Sequence, residues 1–152
     1  MKKLLVVLLV FVSFITIGCS KKDKKKEEVI DYNLSGLVIE YKSSPVMYAN
    51  PSEYTVKLYA DKYITYGYSD EDDYIRIDLT DEEYEKIINF AFSERFLSLD
   101  HNLTDPNVLD GSHSSITLYA DSKVLFSVGG DNVSNSRYNR LVRLLLNKRR
   151  EK

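Results

Sequence analysis

YTVKLYADKYITYGY (residues 54–68) and SSITLYADSKVLFSV (residues 114–128) lie sixty positions apart and share the tetrapeptide LYAD at 58–61 and 118–121. In each copy a run rich in β-branched and aromatic residues meets a short polar turn, and a second such run follows. That is the signature of a β-hairpin, here written twice. Successive strand residues point to opposite faces, so Val56, Leu58 and Ile64 share one face of the first hairpin. Ile116, Leu118, Val124 and Phe126 are their expected equivalents in the second. The same alternation sends Tyr59, Tyr63 and Tyr119 to the other face.

A helical pattern follows each hairpin. Thr80, Asp81, Glu82 and Glu83 form a capping-box sequence, in which the threonine accepts from a first-turn amide and the glutamate reaches back. The three acids also suit the positive end of a helix. Tyr84, Ile87, Ile88, Ala91 and Phe92 then recur at three- and four-residue spacings on one side. A second helix is expected from about Arg137, with Tyr138, Leu141, Val142 and Leu145 facing one way and Arg137, Arg140 and Arg143 lying on other faces. Further strands are expected at 37–41 and 74–79. The expected class is α+β: a mostly antiparallel sheet built from two ββα units, with both helices packed on one face.

At 152 residues the chain has room for one domain. Its net charge of -2 hides a split. Residues 29–133 carry seven Lys/Arg against nineteen Asp/Glu, whereas residues 134–152 carry seven Lys/Arg against one Glu. A basic helix on an acidic body makes a self-complementary fold, and the alternative is a basic face for anionic lipid or polymer. The acidic body argues against nucleic acid as a partner.

The amino-terminal stretch MKKLLVVLLVFVSFITIGCSKKDKKKEE is of another kind. Lys2 and Lys3 precede an apolar run from Leu4 to Ile17, fourteen residues long. As a helix it would span about 21 Å, short of the roughly 30 Å of a bilayer core. Its length and flanks fit a signal peptide better than a membrane span. The single cysteine, Cys19, stands where the apolar run ends, after Thr16, Ile17 and Gly18. This resembles the lipobox of bacterial lipoproteins. The resemblance implies cleavage between Gly18 and Cys19, a diacylglycerol on the Cys19 sulfur, and acylation of the new amino terminus. Two or three chains anchor stably where one binds marginally. The expected organisation is a signal peptide at 1–18, a lipidated Cys19 with a charged tether through 28, and one α+β domain over 29–152. That places the domain outside the cytoplasm, lipid-anchored to the cell membrane or outer membrane. The domain's layout also resembles small α+β domains of bacterial envelope lipoproteins, a likeness of fold that transfers no site.

Catalytic signals are sparse. The loop LDHNLTDPNVLDGSH gathers Asp100, His101, Asp105, Asp110 and His113, residue types that ligate divalent metals. Its spacing fits neither a calcium loop nor a zinc-protease motif, and turn-forming residues account for its composition. SDEDD at 69–73 reads as a solvated acidic loop. VGGDN at 128–132 offers amides that could cradle an anion, but reads more simply as a turn into the second helix. No metal, cofactor or catalytic residue is assigned.

Tyrosine supplies the remaining clue. The chain has twelve Tyr and no Trp. Tyr59, Tyr63 and Tyr119 on one sheet face suit stacking on sugar rings or the centre of a protein interface, and tyrosine also favours strands for packing reasons alone. The expected function is a membrane-anchored, non-catalytic binding or interaction module with an envelope protein or glycan as partner. The alternative is an envelope hydrolase or metal-dependent enzyme centred on residues 100–113.

Overall fold

The computed structural model describes residues 32–45, 52–69, 73–108 and 111–150, with side chains through 147. The expected signal peptide, Cys19 and the tether lie outside the described residues, as do Asp70, Glu71, Asp72 and Asp110. Among the described residues, no helix is long and apolar enough to cross a membrane.

Six strands, β1 (Leu37–Pro45), β2 (Tyr54–Tyr59), β3 (Tyr63–Tyr68), β4 (Ile75–Asp78), β5 (Ser112–Ala120) and β6 (Lys123–Asp131), form one sheet. Their order is β4-β3-β2-β1-β5-β6, and every neighbouring pair is antiparallel. Helix α1 (Asp81–Ala91) and the short α2 (Glu94–Leu97) follow β4, and α3 (Ser136–Arg150) follows β6. The α+β class read from the sequence therefore holds.

β1 lies between the two hairpins, and both meet it in the same register. Ile39 pairs with Leu58 on one side and Leu118 on the other, and Tyr41 pairs with Val56 and Ile116. Residues sixty apart in the chain thus flank the same β1 residue. Rows of core-facing side chains cross the whole sheet as a result. One runs Ile77, Ile64, Leu58, Ile39, Leu118, Phe126, and all six are buried.

The hairpins part company at their turns. The first closes with a three-residue loop, Ala60 to Lys62, in which the Lys62 amide donates to the Tyr59 carbonyl at 3.0 Å and Lys62 takes φ 62°. A turn followed by one left-handed residue is a standard three-residue hairpin. The second closes on Asp121 and Ser122 alone, with φ 51° and 59°, the backbone of a type I′ turn. A bulge then adds Leu125, so Tyr119 pairs with Val124 while Leu118 pairs with Phe126. This corrects one expectation: Val124 is 60% exposed, and Phe126 and Val128 are the inward residues of β6.

α1 begins as its sequence dictates. Thr80 Oγ1 accepts from the Glu83 amide at 3.3 Å, and Glu83 Oε2 accepts from the Thr80 amide at 2.9 Å. Ile87, Ala91 and Phe92 are buried, with Tyr84 and Ile88 packed at the margin. From α3, Tyr138, Leu141 and Leu145 are buried. These residues and the inward rows of the sheet form one apolar cluster. Burying an aliphatic or aromatic side chain contributes about 1.5–3 kcal/mol, so this cluster dominates stability. Two polar contacts fix α3 against the strands: Tyr66 Oη donates to the Leu145 carbonyl at 2.7 Å, and Tyr138 Oη to Ser114 Oγ at 3.0 Å.

Candidate functional site

The face of the sheet away from this cluster is built by the alternate residues of the same strands. Across it run Arg76, Thr65, Lys57, Glu40, Thr117 and Ser127, one from each strand in spatial order. β2 and β3 add Tyr59 and Tyr63, which are directly opposite each other, and β5 adds Tyr119.

The structure brings two of the three predicted tyrosines together. The rings of Tyr59 and Tyr63 are stacked with centroids 4.5 Å apart and planes 14° from parallel. On the β4 side of Tyr63 the Arg76 guanidinium lies 3.8 Å from the ring centroid. Arg76 Nε and Nη2 in turn donate to Asp78 Oδ1 at 3.0 and 2.9 Å. Tyr63 is thus held between a ring and a cation, and the stack is fixed from three adjacent strands. An exposed cation–π contact contributes about 0.5–1 kcal/mol, which matters more for fixing orientation than for stability.

Tyr119 belongs to a neighbouring cluster centred on Glu40. Its hydroxyl donates to Glu40 Oε2 at 3.3 Å, and Lys42 and Lys57 place their ammonium groups 3.9 and 3.8 Å from the same carboxylate. The Glu40 side chain is only 15% exposed, so it needs these partners. Lys42 also pairs with Glu53 at 3.2 Å. Burial works against the Lys42 ammonium, but Glu40 and Glu53 outweigh it and hold its pKa above the usual lysine value. Burial, then the charge of Glu40, pushes the Tyr119 phenol up and keeps it neutral. Tyr74 completes the face. Its ring lies against Gly67, where a Cβ would come within 2.6 Å of it, and Lys57 sits 5.9 Å from its centroid. The face therefore offers aromatic planes, hydroxyls and a fixed pattern of both charges.

Sequence reading found the tyrosines but not their supports. Arg76 and Glu40 carry no motif. The signal for each is alternation: Arg76 lies between Ile75 and Ile77, and Glu40 between Ile39 and Tyr41.

The histidine loop is put to another use. Residues 101–105 run along the free edge of β6, pairing in parallel at Asn102 and Gly129. Gly129 donates to the His101 carbonyl at 3.0 Å, Leu103 to the Gly129 carbonyl at 2.8 Å, and Asp105 to the Asp131 carbonyl at 2.9 Å. His101 Nδ1 lies 2.6 Å from the Ser127 carbonyl, whereas His113 pairs across the ladder with Asp131 at 2.8 Å. Their attachment points are four residues apart along β6, about 13 Å, so the two imidazoles do not converge. Among the described residues, no three His, Cys, Asp or Glu side chains are grouped to hold a metal. VGGDN is corrected too: residues 128–131 belong to β6, and the Gly129 and Asp131 amides are taken by the His101 carbonyl and by Thr104 Oγ1. No protein-family model matches the chain, and no curated protein is similar enough in sequence to stand as a relative.

Proposed function

We propose that this chain is a membrane-anchored bacterial envelope lipoprotein, a non-catalytic binding or interaction module that meets its partner through the tyrosine-bearing sheet face. The observation that carries this reading is the Arg76–Tyr63–Tyr59 stack. Its side chains are ordered by one another before any partner arrives, so binding there loses little rotamer freedom. Flat rings edged by hydroxyls and charges suit a sugar ring or a protein surface. The anchor rests on the apolar run from Leu4 to Ile17, the lipobox-like residues before Cys19, and the lysine-rich stretch that follows. The shared register of the hairpins on β1 supports two ββα units, the first extended by β4, and the α1 and α3 residues in the apolar cluster support both helices lying on the core side, leaving the tyrosine face to the partner.

The test is envelope crosslinking followed by mass spectrometry, comparing the wild type with Tyr59→Ala/Tyr119→Ala. The double variant keeps its circular dichroism spectrum and loses at least about tenfold of the principal crosslinked species, as expected for aromatic anchors in an interface. An unchanged partner set from a folded variant removes this surface.

A further inference from the structure

On the helical side of the molecule, the end of α1, the following turn, α2 and the first half of α3 border an open cleft of about 400 Å³. That is within the range of small-molecule sites. Its walls carry four arginines, Arg95, Arg137, Arg140 and Arg143, beside the half-buried Phe90 ring, with the fully buried Phe96 beneath and no carboxylate in the lining.

The guanidinium groups of α3 are positioned but not neutralised. Arg137 Nη1 donates to the Arg95 carbonyl at 3.0 Å, and Arg143 Nε to the Asn139 carbonyl at 3.2 Å. Arg140 lies 4.7 Å from the Phe90 ring centroid. None of these three pairs with a carboxylate among the described residues. Each guanidinium has five N–H donors in a planar fork, so most of the donors remain for a ligand. Helix polarity adds to the excess of positive charge. α1 opens with Asp81, Glu82 and Glu83, as a helix start prefers, whereas α3 has no acid in its first turn and places Arg137 there. Ser136, its first residue, also lines the cleft. The α3 guanidinium groups gather positive charge in one concavity, while at the helix start Asn135 Oδ1 already accepts from the Arg137 and Tyr138 amides at 3.0 and 3.2 Å.

We infer that this cleft is a binding site for a phosphate ester, with the α3 arginines gripping the phosphate and the half-buried Phe90 ring flanking the group attached to it. Phosphate fits better than carboxylate. It presents more oxygens to several forks at once, and as a monoester it offsets two charges. The phosphate can belong to a soluble monoester or to the diester of a lipid headgroup, and the two sources are separable by titration.

The full chain in non-ionic detergent is titrated calorimetrically with phenyl phosphate, inorganic phosphate, glycerophosphoglycerol and acetate. Phenyl phosphate binds saturably and more tightly than inorganic phosphate, because only it can pack on Phe90. Arg140→Ala/Arg143→Ala weakens it by about tenfold or more, the loss expected for removing charge-assisted hydrogen bonds. Both side chains are exposed, so the melting temperature stays within a few degrees. Tighter binding of the monoester identifies a soluble phosphate ester, and equal or tighter binding of glycerophosphoglycerol identifies a headgroup. The site is overturned by acetate binding as tightly as phenyl phosphate, by no saturable phosphate binding below about 10 mM, or by a double variant that binds like the wild type.

Discussion

Tyr138 reaches from α3 into the apolar cluster and ends on Ser114 Oγ. Burial pushes its phenol well above the usual value near 10, and burial shifts Tyr41 in the same direction. A raised pKa means that the folded state keeps a proton which the unfolded chain releases. The stabilisation is fully present below about pH 10 and is lost as pH rises above it, at about 1.4 kcal/mol per pH unit for each such tyrosine. Tyr138→Phe should therefore cost about 1 kcal/mol at neutral pH through the lost hydrogen bond. It should also flatten the fall in stability at high pH. Urea denaturation at neutral pH and near pH 11 measures both effects, and an unchanged alkaline slope removes Tyr138 as its source. At this scale the sequence was informative where alternation was unbroken: Val56, Leu58 and Ile64 point inward as read. It misled at Val124, because two identical LYAD segments end in turns of different length, and the added Leu125 changes which residue faces the core.

At the scale of elements, the capping box and the apolar face of α1 were legible because both are local. The role of residues 101–105 was not. Their composition suggested ligands, but their partner is the edge of β6, more than twenty residues further along the chain. A bare edge strand invites pairing with other molecules, and this loop occupies it. Gly130 makes the approach possible: a Cβ there would fall 2.5 Å from the Thr104 amide nitrogen. Gly130→Ala should lift the loop, destabilise the domain by about 1–3 kcal/mol, and speed hydrogen exchange at the Leu103 and Asp105 amides. It should also promote aggregation through the freed edge. Protected amides in this variant would show that the loop is held by something other than its fit to β6. The arginine cleft escaped sequence reading for a similar reason. Three arginines at three-residue spacing resemble a solvated helix side, and only folding brings Phe90, Arg95 and Phe96 from some forty residues away to border the cleft.

For the whole molecule, the charge split acquires a geometry. The acidic and basic residues of the sheet's outer face largely compensate each other around Glu40, while positive charge accumulates in the α3 cleft. The two candidate contact surfaces therefore differ in chemistry as well as position. The proposed anchor is a property of this scale, since it fixes which surfaces meet the membrane. Cys19→Ser should abolish incorporation of a radiolabelled fatty acid and move the protein from the membrane to the soluble fraction of lysed cells. A wild type that never takes up the label in its native host removes the anchor, and would leave both binding surfaces to be judged separately.

The place of β1 has a mechanical consequence. Among the described residues it is the first strand in chain order, yet it lies in the middle of the sheet, hydrogen-bonded to β2 on one side and β5 on the other. Suppose the chain is held at its amino terminus while a partner pulls on the sheet. The tension enters along β1, across rungs that run perpendicular to the strand. Both ladders then bear it in shear, with many hydrogen bonds loaded together rather than peeled one at a time. An edge strand in that place would have given the load only one ladder to break. This wiring makes the domain a fitting that should hold under traction at the end where the proposed tether would begin.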